Sequence, residues 1–273
     1  MVLSVVVDAF GGEFNENVAN FNEFFAEEID GAISRFGRFN PIFFQGLEGT
    51  GASLTYNFSE VVSLSAGYLA PEASEPGEGF GLFNGSFAAL GQLSIFPTDD
   101  ISLGLTFVHA FFPGDADEFA VSGETGSELA NEPFGDVATS ANLLGFQGMF
   151  DINRRLSLSA WAGITFAEAE ADGEGVFAGD DATIINWAVT LAFPDLFREG
   201  NLGGLLVGQP PRVVFNSGGP DEADASVQVE AQYQHRINDN IRINPGFFVI
   251  LNPENEADND PIFVGTIRLI FNF

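Results

Sequence analysis

Side chains suited to catalysis are scarce in this sequence. Its 273 residues include two histidines, His109 and His235, and no cysteine, which excludes thiolate nucleophiles, thiolate metal sites and disulfides. A Ser-His-Asp hydrolase would need a nucleophile beside one of those histidines, yet neither has such a motif nearby and G-x-S-x-G does not occur. The glycines of EPGEGFGLFNG (75–85) imitate a phosphate loop, but they lie between strand-like segments with no helix following, so turns account for them. No enzyme site and no cofactor are expected. All nine basic residues are arginines (35, 38, 154, 155, 198, 212, 236, 242 and 268) against 39 acids, a formal charge of -30 that excludes nucleic acid as a partner. The acids gather in GDADEF, EAEADGEG, GPDEADA and NPENEADNDP. Such oxygen ligands suit calcium or magnesium, but no segment follows the calcium-loop pattern, so no metal site is assigned. They read as solvated, mutually repelling loop tips that attract cations diffusely.

A second set of polar residues is spaced by parity instead. Between Ala225 and Arg236 one face carries Ser226, Gln228, Glu230, Gln232 and Gln234, while Val227, Val229 and Tyr233 take the other. Arg242 and Asn244 on the next segment, and Thr266 and Arg268 on the last, share that inner parity. A face without apolar residues cannot be the core of a soluble sandwich; a water-filled lumen explains it. A soluble lipocalin-type barrel would reverse the polarity. Glu230 with Arg242 and Arg268 would form either a structural ladder of opposite charges across strands or a field across the lumen.

The elements that must position these groups are strands. Mean hydropathy is +0.15 despite the charge, so acidity and oiliness must alternate along the chain. Apolar positions at period two predict about twelve strands: Val2 to Phe10, Thr50 to Phe58, Val61 to Leu69, Ser86 to Phe96, Ile101 to Phe112, Ser140 to Phe150, Leu156 to Ala167, Ala182 to Phe193, Leu202 to Phe215, Ala225 to Arg236, Ile241 to Leu251 and Pro261 to Phe273. No apolar run reaches the roughly 18 residues of a transmembrane helix, so any span must be β. Short turns alternate with long segments, as in barrels with turns on one side of a membrane and loops on the other. On this parity His109 and His235 face lipid near strand ends, Trp161 the lumen and Trp187 the bilayer.

The last eleven residues, FVGTIRLIFNF, place Phe263, Gly265, Ile267, Leu269, Phe271 and Phe273 on one face. A strand of this length ending on Phe resembles the terminal strand through which outer-membrane barrels are recognised by the barrel-assembly machinery, with Phe271 and Phe273 as the insertion signal. The opening MVLSVVVDAFGG lacks the basic start and long apolar stretch of a signal peptide, so for an exported protein an upstream segment is expected.

Five stretches carry a wider likeness: SRFGRFNPIF (34–43), GTGASLTYNF (49–58), EPFGD followed by TSAN, NWAVTLAFPDLFREGNLGGLLVGQPP (186–211) and FFVILNPENEADNDPIFVGTIRLIFNF (247–273). Together they resemble the cyanobacterial outer-membrane porins called iron uptake porins, related to the carbohydrate-selective (OprB-like) porins. The resemblance implies an all-β, up-and-down transmembrane barrel of about 16 strands, assembled as a homotrimer and exported with a signal peptide and a wall-binding S-layer-homology domain. Residues 1–273 then form one porin domain lacking both those segments and about four strands. If the first four are missing, residues 11–49 become the family's third loop, which folds into the pore as its constriction. Arg35 and Arg38 become candidate constriction charges; the plainer reading pairs them with Glu27, Glu28 or Asp30 and pins the loop to the wall. A closed twelve-stranded barrel is the rival architecture. The expected function is passive passage of small hydrophilic solutes, inorganic ions including iron and also sugars, through a water-filled channel in the outer membrane. The alternative is a structural barrel that anchors the envelope with no significant transport.

Overall fold

A computed structural model describes residues 2–75, 77, 80–114 and 120–272. All twelve expected strands are present: β1 (Val2–Gly12), β2 (Gly49–Asn57), β3 (Val62–Ala70), β4 (Phe87–Thr98), β5 (Ile101–Phe112), β6 (Thr139–Asn153), β7 (Leu156–Ala169), β8 (Asp181–Pro194), β9 (Leu202–Asn216), β10 (Val227–Arg236), β11 (Ile241–Leu251) and β12 (Ile262–Phe271). They form one sheet in sequence order, each antiparallel to the next. Two short helices, α1 (Phe14–Asn17) and α2 (Glu128–Asn131), lie in the loops after β1 and β5. The periodicity of the sequence did not reveal them, because four residues are too few to show a helical repeat.

Strand ends move where loops compete for the backbone. β10 begins at Val227 rather than Ala225, because Ser226 N donates to Asn255 Oδ1 (2.7 Å) and Ser226 Oγ to the Asn252 carbonyl (2.7 Å). β12 runs from Ile262 to Phe271 rather than from Pro261; Phe273 lies outside the described residues. Among the described residues no ladder joins β1 to β12, so the sheet has two edges and the twelve-stranded rival does not close.

Alternation sorts the two faces. Ser65, Gln92, Thr106, Gln147, Ser159 and Thr190 are buried on the inner face, while Leu64, Leu93, Leu105, Phe107 and Phe146 stand exposed on the outer one. A soluble core would invert this arrangement. Aromatic residues cluster at both ends of the outer face. Tyr68 stacks on Phe87 (5.6 Å) and Phe87 on Phe111 (6.1 Å) near the long loops, with His109 alongside at 5.8 Å. Near the short turns Tyr56 meets Phe58 edge-on at 4.8 Å. Such girdles mark the two membrane interfaces. The inner polar face is not left to water, because residues 13–48 fill it.

Candidate functional site

The loop between β1 and β2 runs through the interior from wall to wall. Asn17 Nδ2 donates to Asp8 of β1 (2.6 Å), Gln92 of β4 donates to the Ala19 carbonyl (2.9 Å), and Thr190 of β8 donates to Asn22 Oδ1 (2.9 Å). In a flat sheet β4 and β8 would stand about 19 Å apart at the usual strand spacing, so contacts from residues 19 and 22 to both require the sheet to curl around the loop. Inward-facing glycines seat its side chains. A Cβ at Gly67 would stand 2.8 Å from the Phe14 ring and one at Gly204 2.6 Å from the Phe25 ring, and Gly104 and Gly246 likewise leave room for Phe21 and Ile33. Phe36 then meets Trp161 of β7 edge-on at 5.9 Å. Phe39, Ile42, Phe43 and Phe44 join Leu69, Val108, Leu143 and Ile184 of the wall in the main hydrophobic core, together with Val121, Ala130 and Phe134 from the β5–β6 loop.

The inner-face residues of β10 to β12 hold this loop, which differs from their expected place against open water. Gln228, Glu230, Gln232 and Asn244 point inward but are buried. Glu230 accepts from Ile33 N (2.5 Å), Ser34 N (3.1 Å) and Ser34 Oγ (2.5 Å), so one carboxylate satisfies two consecutive backbone amides. Gln228 Nε2 donates to Ser34 Oγ (2.5 Å), and Asn244 Nδ2 to Gln232 Oε1 (3.1 Å). Arg242 pairs with Asp30 of the loop at 2.7 Å, and Arg268 donates to the carbonyls of Gly31 (2.5 Å) and Ala32 (3.3 Å) and to Gln232 Oε1 (3.2 Å). Thr266 faces inward opposite Gly246. Glu230 makes no direct ion pair with Arg242 or Arg268 among the described residues: all three reach to the loop, whose backbone groups would otherwise be buried without partners, while Arg268 also bonds Gln232 across the strands.

Arg35 and Arg38 share one aromatic ring. The Arg35 guanidinium lies 4.1 Å from the centre of Phe44, and that of Arg38 lies 6.0 Å from the same ring and 5.2 Å from Phe39. Their expected partners within the loop are replaced. Arg35 Nε donates to the Gly123 carbonyl (3.1 Å) and its guanidinium approaches Glu124 at 3.6 Å, both on the β5–β6 loop; Arg38 Nε donates to the Ala26 carbonyl (2.9 Å). The Arg35 side chain remains 33% exposed and Arg38 is half-buried, so neither is fully withdrawn from solution. On the same loop Glu13 interacts electrostatically with Glu16, Glu28 and Arg38. Burial is the main cause that raises the Glu13 carboxyl above the usual range, with Glu16 and Glu28 adding to it and an Asn15 hydrogen bond and Arg38 opposing. Parity alone could not find Glu13, because it acts from a loop, and only its spacing from Glu16 hinted at a shared surface.

The long acidic loops are tied to one another rather than freely repelling. Glu222 accepts from Val213 N (2.6 Å) and Asn255 Nδ2 (3.0 Å), and Glu254 accepts from Glu128 N (2.8 Å). Among the described residues no three acidic or histidine side chains converge as metal ligands.

A wall oily outside and polar inside, with a long loop folded against its inner face, defines a bacterial outer-membrane porin. The chain belongs to the carbohydrate-selective porin, OprB family, whose profile matches residues 5–273. It is a protein of the outer membrane, and its family is one of channels rather than enzymes. It is 38% identical over 265 residues to an uncharacterized protein of Synechocystis sp., covering 91% of this chain and 47% of that one. It is 32% identical over 282 residues to an uncharacterized protein of Nostoc sp., covering 98% and 48%. The chain thus spans about half the length of the curated relatives it matches. A solved porin structure superimposes with a TM-score of 0.52 at 8% identity, over 82% of this chain and 62% of that one, a likeness of fold.

Proposed function

We propose that the protein forms a water-filled channel through which small hydrophilic solutes, inorganic ions including iron and also sugars, diffuse across the outer membrane. The observation that carries this reading is the loop 13–48, fastened to the inner wall by Glu230, Arg242 and Arg268 while Arg35 and Arg38 stay partly exposed. On this reading the loop narrows the lumen, and fixed charge at such a constriction biases which ions pass. Open edges at β1 and β12 support completion of the wall by further strands, because unpaired backbone groups in lipid cost several kcal/mol each. Association as a homotrimer, and recognition of β12 through Phe271 and Phe273 by the barrel-assembly machinery, belong to the same reading. A second reading, a structural barrel with no significant transport, draws on the hydrophobic core that fills the end near the long loops.

The test is single-channel conductance of the protein purified from outer membranes, with reversal potentials measured under a salt gradient. Discrete steps are expected, and Arg35→Ala with Arg38→Ala is expected to move selectivity toward cations. Folded protein giving no steps would remove the channel reading and favour the structural one.

A further inference from the structure

Inward-pointing side chains are not covered evenly around the wall. Gln92 of β4, Thr106 of β5, Gln147 of β6, Ser159 of β7, Thr190 of β8 and Leu206 of β9 are each at most 4% exposed. Two loops cover this sector: residues 13–48, and the β5–β6 loop, whose Val121, Ala130 and Phe134 join the same core. Toward the edges the inner face opens. Ser4 of β1 is exposed, while Asp8 of β1, Phe248 and Ile250 of β11 and Thr266 of β12 are half-buried. An edge position does not explain this, because β11 is hydrogen-bonded on both sides, to β10 and to β12. Phe248 and Ile250 are accessible for want of a covering loop, not of a neighbouring strand. Further strands would continue the sheet beside β1 and β12, so they would enclose this space without filling it.

The loop presents carboxylates to that space. Its stretch 27–30 lies against β11 and β12, where Arg268 donates to the Glu28 carbonyl (3.4 Å) and Asp30 pairs with Arg242 (2.7 Å). Its first limb stands against β1, where Asn17 Nδ2 donates to Asp8 (2.6 Å). Glu13 interacts electrostatically with Glu16 of the first limb and with Glu28 of the second, which sets the two limbs across one gap. Glu16, Glu27 and Glu28 are exposed and form no ion pair among the described residues. The positive charges nearby are offset: Arg242 by Asp30, Arg268 by Glu230 and Asp30, and Arg38 by Glu13. The unbalanced charge facing the gap is therefore negative, and fixed carboxylates beside a narrow aqueous space concentrate cations in it.

We propose that the aqueous path runs between this loop and the inner faces of β11, β12 and β1, and that Glu16, Glu27 and Glu28 make it favour hydrated cations. The assignment rests on the channel reading and adds where the path lies and which side chains select the ion.

Because the chain has no native cysteine, the path can be mapped one position at a time in protein purified from outer membranes. Glu28→Cys and Thr266→Cys should react with trimethylammonioethyl methanethiosulfonate, followed by intact mass, and their single-channel steps should shrink on reaction. Thr190→Cys, beneath the loop, should stay unlabelled with its steps unchanged. Thr266→Cys is a small change on the wall, so it reports on the path even where Glu28→Cys displaces the loop. Glu27→Gln combined with Glu28→Gln should lower the cation-to-anion permeability ratio several-fold, opposite in sign to the loss of Arg35 and Arg38. Labelling of Thr190→Cys with Glu28→Cys and Thr266→Cys protected would overturn this path, while discrete steps left the channel reading standing. So would a permeability ratio unchanged by the glutamine pair. Absence of steps in the wild type would overturn both.

Discussion

Glu230 illustrates how one buried side chain sets the position of a whole loop. Its carboxylate accepts from two adjacent loop amides and from the Ser34 hydroxyl, and hydrogen bonds to a charged acceptor contribute about 1.5–3 kcal/mol each when the alternative is an unpaired buried group. Glu230→Ala is therefore expected to release residues 30–37 from the wall, giving larger and noisier single-channel steps without unfolding the barrel. Glu230→Gln keeps one acceptor oxygen and should give an intermediate conductance. Identical traces for wild type and Glu230→Ala would show that the loop is held by its aromatic packing alone. Arg35 and Arg38 act differently, since neither anchors the loop to the strands. Their loss should change which ions pass more than how many.

Among the elements, the loop and the strands fit each other through absent side chains. Phe14, Phe21, Phe25 and Ile33 each rest where an inward glycine leaves the wall bare, so the loop's path is written partly into the strands. Gly204→Leu should force Phe25 off its seat. Overpacking of this kind costs about 1–3 kcal/mol, and it should lower the temperature at which the folded band converts on a gel. Gly91→Leu, facing open space outward, should leave that temperature unchanged. Equal shifts in both variants would mean that any added side chain disturbs the sheet, with no special fit at Gly204.

For the whole molecule, the decisive feature is the seam. Both edge strands carry exposed apolar side chains, among them Val5, Val7, Ile267 and Leu269, and neither pairs with the other among the described residues. If further strands complete the wall, β1 and β12 are not neighbours in the outer membrane. The absence of native cysteine makes this easy to read. Val5→Cys combined in turn with Phe263→Cys, Ile267→Cys or Phe271→Cys should give no cross-link in cells, whereas Val249→Cys with Phe263→Cys, which face each other across β11 and β12, should cross-link readily. A disulfide between β1 and β12 would establish direct closure by twelve strands instead.

The sequence by itself determined the strands, their order and the sidedness of the wall. Alternation at period two is a local property, and it survives into the sheet because every second side chain must face the same medium. Gln228, Glu230, Gln232, Asn244, Arg242 and Arg268 were legible as inward-facing for that reason. What they face was not. Only the tertiary structure decided that these groups meet the loop rather than water, and that Asp30 pairs with Arg242 and Arg35 with Glu124, because each of these contacts joins residues far apart in the chain. Periodicity records which side of the wall a residue occupies, whereas long-range partners depend on the curl of the sheet, which brings distant strands around a single loop.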